Sequence, residues 1–155
     1  MKKNVTMKTW CAACLATATL MCGGVLSACE SDDVKSREAQ AGRRAVAFAQ
    51  AYYNQHYDKA TELVTPESRK WIAFFVSNMT DGDLEVLAQY PEASMATIDE
   101  VMLTSDSTAE VSLVVDHAFV ADSLGKPGHM EDDKKLKLSL VQREKNWLVV
   151  LSASL

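Results

Sequence analysis

The chain has 155 residues, of which 48% are hydrophobic and 24% are charged, and its formal net charge at pH 7 is −5. This length suits one domain with a sizeable core. An acidic chain repels nucleic acid and anionic lipid headgroups, so its charge argues against a nucleic-acid-binding protein.

Residues 1–28 have the pattern of a secretory signal. Three lysines and no acid occur within the first eight residues, and residues 9–26 are uncharged and mostly apolar. The alternative is an uncleaved membrane-spanning helix, which needs about twenty strongly apolar residues. Because this run is shorter and is interrupted by Gly23 and Gly24, we expect it to be cleaved.

The apolar run ends in Leu26-Ser27-Ala28-Cys29. This tetrapeptide resembles the lipobox of bacterial lipoproteins. The resemblance implies a diacylglycerol on the Cys29 sulfur, cleavage just before that residue and acylation of the new amino terminus. Two or more acyl chains hold a protein firmly on a membrane. The alternative is an ordinary cysteine in a cysteine-rich leader.

The next residues, Glu30-Ser31-Asp32-Asp33, are acidic. They resemble the export signal that sends some lipoproteins to the outer face of the outer membrane, so we predict an outer-membrane, surface-exposed lipoprotein. The alternative is simply the start of a solvated tether. We therefore divide the chain into a leader at 1–28, a lipidated cysteine with an acidic tether at 29–36, and one domain at 37–155.

Loss of the leader changes both charge and cysteine content. It removes three of the sixteen Lys and Arg residues and none of the twenty-one Asp and Glu residues, so the mature net charge is −8. Cys11, Cys14 and Cys22 leave with it, and lipid occupies Cys29. The mature domain then has no disulfide and no thiol nucleophile.

Four helices are predicted in the first half of the domain. From Arg37 to about residue 55, apolar side chains recur at helical spacing, and a short helix follows at 57–64. Thr65 and Pro66 then predict the start of a third helix. The expected inward residues of these helices, including a short fourth one after Asp81, are Ala41, Ala45, Phe48, Tyr52, Ala60, Leu63, Val64, Ile72, Phe75, Val76, Met79, Leu84 and Leu87. Trp71 and Phe74 fall off the stripe of the third helix and are expected to line a pocket or an interface.

After Pro91 the apolar spacing changes to two residues, which predicts strands at 96–104, 109–119, 134–143 and 147–153. Residues 124–129 predict a loop, and Asn146 is expected to take a left-handed conformation in a tight turn. The expected inward residues of the last three strands are Ala109, Val111, Leu113, Val115, His117, Phe119, Leu136, Leu138, Leu140, Trp147, Val149, Leu151 and Ala153. We predict an α+β domain in which helices pack on a curved antiparallel sheet of about four strands.

Three segments carry a family resemblance: AVAFAQAY at 45–52, YDKATELVTPE at 57–67 and REKNWLV at 143–149. They resemble the nuclear-transport-factor-two-like (cystatin-like cone) superfamily, and in particular its small lipoproteins of unknown function. The resemblance implies a bent sheet wrapped around a long helix, with a pocket at the open end of the cone. These motifs are structural and imply no activity.

His117 is the residue best suited to chemistry, because it interrupts an apolar strand face and is expected to point into the cone as a base or ligand. The alternative is a core histidine satisfied by one hydrogen bond. Asp116 lies on the opposite face and cannot form a dyad with it.

Enzymes of the superfamily such as ketosteroid isomerase use a buried carboxylate with a tyrosine or acid donor. The predicted inward faces hold no clear carboxylate, although the facing of Asp99 and Glu100 cannot be assigned. His56, His117 and His129 have no metal-ligand spacing. We therefore predict a non-catalytic protein without metal or cofactor.

Three functions remain open. The first is partner binding or assembly, including a homodimer, through an apolar outer sheet face to which Val114, Val120, Val141, Leu148 and Val150 contribute. The second is binding of a small hydrophobic or peptide ligand in the cone, in a pocket lined by Tyr53, Trp71, Phe75, His117 and Trp147. The third is an enzyme of isomerase or dehydratase type. The sequence specifies neither ligand nor oligomeric state.

Overall fold

A computed structural model describes residues 27–122 and 126–152, with side chains from residue 32 onward. Residues 1–26 of the leader, Leu124 and Gly125 of the predicted loop and Ala153 of the last predicted strand lie outside the described residues. The elements are α1 (Ser27–Tyr53), α2 (Tyr57–Glu62), a 3₁₀ turn (Pro66–Ser68), α3 (Arg69–Ser77), α4 (Asp81–Gln89), β1 (Met95–Ser105), β2 (Thr108–Asp116), β3 (Ala118–Val120), β4 (His129–Glu131), β5 (Lys134–Arg143) and β6 (Asn146–Val150).

The first helix begins ten residues earlier than predicted, at Ser27 instead of Arg37. It therefore runs through the stretch expected to be an acidic tether. The stretch has neither Gly nor Pro, and acids near a helix N-terminus are favoured by its dipole. Asp33 also pairs with Arg37 one turn later, at 3.4 Å between Oδ2 and Nε.

The apolar stripe of α1 forms the centre of the core, as predicted. Ala41, Ala45 and Phe48 have no exposed surface, and Tyr52 is buried. These side chains pack on the inner face of the sheet, where α1 contacts β1, β2, β5 and β6. The predicted inward residues of β2 and β5 are likewise buried, and so are Trp147, Val149 and Leu151.

Four antiparallel strands form the main sheet in the order β1-β2-β5-β6, which confirms the α+β fold class. Val111 lies opposite both Val101 of β1 and Leu138 of β5, so the apolar residues of three strands share one row. The predicted second strand is divided into two. His117 has a φ of 54° between β2 and β3, and β3 leaves the sheet to pair with β4.

The two edges of the sheet are protected differently. At β6, the Thr65 N–H donates to the Val149 carbonyl and the Val149 N–H donates to Leu63, both at 2.9 Å. The buried Ser68 hydroxyl accepts from the Leu151 N–H at 2.9 Å. At β1, a bulge between Ile98 and Glu100 interrupts the register, a feature that discourages edge-to-edge pairing.

Some sequence predictions for surface positions were wrong. Val76 and Leu84 were expected inside but are 41% and 52% exposed. Asn146 was expected to be left-handed, but the two-residue turn consists of Glu144 and Lys145, with φ of 50° and 69°. Positive φ at both central residues is typical of the type I′ hairpin turn, which matches the strand twist.

No helix of the described residues combines the length and the apolar character that crossing a membrane would require.

Candidate functional site

A pocket of about 380 Å³ opens between α1, α3 and the segment that contains β3. We call it the aromatic pocket. Its lining residues are Tyr52, Tyr53, Trp71, Phe74, Phe75, Asn78, Met79, Thr80, Asp83, Phe119, Val120, Ala121, Asp122, Lys126, Lys134 and Ser152. The lining combines six aromatic side chains with seven polar or charged ones, and a volume of this size is common in small-molecule sites.

The inner wall of the aromatic pocket is a cluster of packed rings around Tyr52. Its ring lies 5.2 Å from that of Phe75 and 5.3 Å, edge-on, from that of Tyr53. Phe48 stacks on it from the core at 5.7 Å. Because these rings come from α1 and α3, the wall is built on regular elements and is held by core packing.

Three of the five predicted pocket residues line the aromatic pocket: Tyr53, Trp71 and Phe75. Phe74 lines it too, in agreement with its position off the buried stripe of α3. Trp147 does not, because it lies on the far side of the core against a separate groove.

His117 was also predicted to line the pocket, and it does not. The left-handed φ at this residue ends the alternation of β2, so the side chain leaves the inner face and is 38% exposed. Its Nε2 lies 3.2 Å from a Glu92 oxygen, and its Nδ1 lies 3.0 Å from Asp132 Oδ1. It is therefore neither a base inside the cone nor a core histidine, and both expectations were wrong.

The sequence analysis missed Asp83, a carboxylate at the pocket wall that is only 6% exposed. Its Oδ2 accepts from the Thr80 N–H at 2.8 Å and from the Thr80 hydroxyl at 2.9 Å. Its Oδ1 accepts from the Gly128 N–H at 2.7 Å. The sequence signal was the capping box of α4, in which Thr80 precedes Asp83 by three residues.

Asp83 is poorly suited to act as a general base. Burial raises the pKa of its carboxyl group, but hydrogen bonds from the Thr80 and Gly128 N–H groups outweigh burial and hold the pKa below its usual value. A base needs a pKa near the working pH and a free lone pair facing the substrate. This carboxylate instead ties the start of α4 to the segment around Gly128.

Asp99 and Glu100, whose facing the sequence left open, are both exposed at the bulge of β1. They lie outside the aromatic pocket.

Two tyrosine hydroxyls supply the pocket with unused hydrogen-bonding capacity. Tyr52 and Tyr53 are more than nine-tenths buried, and neither hydroxyl has a hydrogen-bond partner in the described part of the chain. Burial, followed by the nearby charge of Glu131, raises the pKa of Tyr53 to about 12. Both phenols stay protonated at neutral pH and are available as donors to a ligand.

The rim of the aromatic pocket is charged. Lys126 and Lys134 lie there, and Lys134 contacts Glu131 with 3.4 Å between Nζ and the carboxylate. The site thus combines an apolar interior, two neutral donors in its wall and cations at its mouth. Such an arrangement is suited to hold and orient a ligand.

No family model matches this chain, and neither does any curated protein. Among solved structures, a protein of unknown function from Mycobacterium tuberculosis is similar with a TM-score of 0.48 and 9% identity, over 81% of this chain and 73% of that one. A nuclear-transport-factor-two-like protein of unknown function from Shewanella oneidensis has a TM-score of 0.42 and 12% identity, over 77% and 93%.

A further similar structure is that of a proposed aromatic ring hydroxylase from Novosphingobium aromaticivorans. It has a TM-score of 0.43 and 12% identity, over 74% of this chain and 85% of that one. Likeness at this level says nothing about activity. The α+β architecture described above rests on this chain's own helices and strand order.

Proposed function

We propose that this protein is a non-catalytic binding module that is held on the cell envelope by lipid on Cys29 and takes a small, mostly apolar ligand into the aromatic pocket. The observation that carries the proposal is the pocket wall itself. Tyr52 and Tyr53 line a cavity of about 380 Å³, and neither hydroxyl has a hydrogen-bond partner in the described residues.

The apolar lining supports the ligand class. Trp71, Phe74, Phe75 and Phe119 line the cavity, and Phe74, which is 63% exposed, has the most apolar surface for a ligand to cover. A ligand with one hydrogen-bond acceptor would use the tyrosine hydroxyls, and the acceptor would give it a fixed orientation.

The outer sheet face supports a role in partner binding less well. Met102 and Val150 are 47% and 43% exposed there, but the register places Glu110 between them, and Glu110 pairs with Lys137 at 2.6 Å. Val141 lies opposite Leu148 and next to Val150, but Val141 and Leu148 are half-buried, and Glu110 and Ser139 separate Val150 from Met102, so the exposed apolar surface is small. Val120, which was also predicted on this face, lies in β3 and lines the aromatic pocket instead. Homodimerisation or partner binding through the sheet stays a prediction.

The start of α1 supports the anchor geometrically. The helix runs without a break from Cys29 into the core, where Ala41 is the first fully buried side chain among those described. At a rise of 1.5 Å per residue, a lipid on Cys29 would lie about 18 Å along the helix from Ala41. The acidic residues Asp32 and Asp33 lie on this exposed first part and remain proposed as the signal for display on the cell surface.

The pocket is tested with N-phenyl-1-naphthylamine, a neutral apolar probe whose fluorescence rises on binding. Trp71→Ala should weaken its affinity about tenfold, because loss of a ring contact of about 1.4 kcal/mol corresponds to that factor. Fluorescence titration of the full chain in a non-ionic detergent below its micelle concentration measures the dissociation constants.

Val76→Ala is the matched control, because Val76 lies on the same helix, is 41% exposed and does not line the pocket. His117→Ala is a second control outside the pocket. Both should retain the affinity of the unmodified protein. If Val76→Ala and Trp71→Ala lost the same affinity for the probe, or if Trp71→Ala lost none, the aromatic pocket would not be the binding site.

The anchor is tested by Cys29→Ser in a bacterial host. The unmodified protein should fractionate with membranes, and its amino-terminal peptide should carry diacylglycerol in a mass spectrum, because the thiol accepts the lipid. Cys29→Ser should lose both properties, whereas Cys22→Ser in the leader should keep them. A native protein with an unmodified Cys29 and an attached leader would overturn the anchor without affecting the pocket.

A further inference from the structure

A second concave site lies on the other side of α1 from the aromatic pocket and shares no residue with it. This groove, about 290 Å³ in volume, is formed by one stripe of α1 and the hairpin between β5 and β6. We call it the basic groove. Its residues are Gln40, Arg43, Arg44, Ala47, Lys145, Asn146 and Trp147.

The basic groove gathers three cations, Arg43, Arg44 and Lys145, and no acid lines it. None of the three has an ion-pair partner in the described part of the chain. Arg37 and Arg143, which lie near it in sequence, are in contrast paired with Asp106 and Glu67. Three adjacent cations without a counter-charge in a strongly acidic chain repel one another, and an anion would relieve that repulsion.

Trp147 points independently to an anion in the basic groove. It is 2% exposed, it lines the groove, and its Nε1–H is buried without an acceptor among the described residues. Buried side-chain donors nearly always have a partner in folded proteins, so an orphan donor beside a cavity calls for an explanation. Because the N–H has almost no accessible surface, a small rotation of the indole toward the groove would let an oxyanion there become its acceptor.

From these two observations we propose that the basic groove binds a phosphate monoester. Such a group has a charge of about −1.5 to −2 near neutral pH and three strong acceptor oxygens, which suits several cations and one N–H donor. The planar guanidinium groups of Arg43 and Arg44 match the geometry of phosphate oxygens. A carboxylate, with one charge, would leave more of the repulsion unrelieved.

The hairpin turn positions the third cation. Lys145 belongs to the two-residue turn whose φ values are both positive, and the turn is continuous with the β-strand that contains Trp147. The stripe of α1 is fixed in turn by the core residues on its opposite side, such as Ala41 and Ala45. The backbone of both walls is thus part of regular elements, which limits the ordering that binding would require.

The test records the indole N–H resonances of the ¹⁵N-labelled full chain in a non-ionic detergent. Trp147→Phe identifies the Trp147 resonance, and Trp71, which lies outside the groove, is the internal reference. Glycerol 3-phosphate should shift the Trp147 resonance saturably, whereas glycerol should not. Added salt should weaken the binding, because exposed charges are screened.

The decisive variant is the double substitution Arg44→Gln with Lys145→Gln, which should raise the dissociation constant for glycerol 3-phosphate at least tenfold. Lys59→Gln with Arg69→Gln is the matched control, since these exposed cations lie outside the groove. The control should bind as the unmodified protein does. Circular dichroism checks that both variants keep the fold.

A second arm separates a soluble phosphate from a lipid headgroup. Vesicles of phosphatidylcholine with and without phosphatidic acid replace the soluble ester. A Trp147 shift with the soluble ester identifies a solute site, and a shift only with phosphatidic acid identifies a headgroup site; either supports phosphate recognition. The proposal would be overturned if the Trp147 resonance responded neither to the soluble ester nor to phosphatidic acid. It would also be overturned if the double variant bound as tightly as the unmodified protein. Neither result depends on the aromatic pocket.

Discussion

At the scale of single residues, Asp83 and His117 show how misleading residue type is about role. Asp83 is a buried acid beside a pocket, yet its carboxylate accepts three hydrogen bonds, from Thr80 and Gly128. His117 follows an apolar strand face, yet one backbone angle turns it to the surface between Glu92 and Asp132. In both cases the hydrogen-bond partners, and not the side chain alone, define what the residue does.

We predict that Asp83→Asn lowers the free energy of unfolding at pH 7 by about 1.5–3 kcal/mol, the size of hydrogen bonds to a charged group. The pKa of Asp83 is lowered from its ordinary value of 3.8, so its contribution is present above that pH and is lost as the pH falls through the native pKa. Urea denaturation at pH 7 and pH 3 measures the difference between variant and unmodified protein, which should shrink at pH 3.

Asp81→Asn is the control for this prediction. Asp81 occupies the same first turn of α4 but is exposed, so it contributes only a helix-dipole interaction of about 0.3–1 kcal/mol. Asp83→Asn should lower the free energy of unfolding more than Asp81→Asn does, and the difference should not grow as the pH falls. Either opposite result would contradict the role assigned to Asp83.

At the scale of elements, two glycines show how helices and loops approach the sheet. A Cβ at Gly42 of α1 would meet Ile98 Cδ1 at 2.9 Å and Val101 Cγ2 at 3.2 Å, which are ends of side chains on β1. A Cβ at Gly128 would meet the Val120 carbonyl oxygen at 2.5 Å and the Phe119 ring more closely still. The side-chain ends near Gly42 can move aside, whereas the backbone carbonyl near Gly128 cannot.

We therefore expect Gly128→Ala to destabilise the protein by about 1–3 kcal/mol, the usual cost of overpacking. Since Gly128 also donates to Asp83, the strain should spread to the rim of the aromatic pocket and weaken probe binding there. Gly42→Ala should change stability much less, because alanine gains about 1 kcal/mol of helix propensity while Ile98 shifts. Thermal unfolding of the two variants compares the same substitution at two sites. An equal loss of stability in both would be incompatible with the packing described.

At the scale of the whole molecule, three of the four tyrosines lie in the core or pack against it. Burial raises the pKa values of Tyr52, Tyr53 and Tyr57, each of which contacts or borders the ring cluster of the aromatic pocket. A tyrosine with a raised native pKa stabilises the fold below its ordinary pKa of 10 and ceases to do so as the pH rises through the native value. The domain should therefore be sensitive to alkali.

We predict a loss of stability between pH 10 and pH 12, of which Tyr53 alone accounts for about 2 kcal/mol. Tyr53→Phe should move the midpoint of alkaline unfolding to higher pH, because phenylalanine has no proton to lose. Tyr90→Phe, at a residue that is 51% exposed, should leave the midpoint in place. Circular dichroism followed through an alkaline titration measures all three proteins; a lower midpoint in Tyr53→Phe would be evidence against this account.

Much of the fold could be predicted from the sequence. The stripe of Ala41, Ala45 and Phe48 and the alternation along β2, β5 and β6 correctly identified the core, because side-chain spacing along a helix or strand is a local property. The same spacing placed Trp71 and Phe74 off the buried face of α3, where they line the pocket.

What only the tertiary structure decided depends on segments far apart in the chain or on a single backbone angle. Asp83 and Gly128 meet across 45 positions. Arg44 and Lys145 share the basic groove across a still longer separation, and a φ of 54° at His117 removes it from the cone. Periodicity reports which face of its own element a residue occupies, but a site is made where faces of different elements converge, and that convergence is fixed by packing of the whole chain.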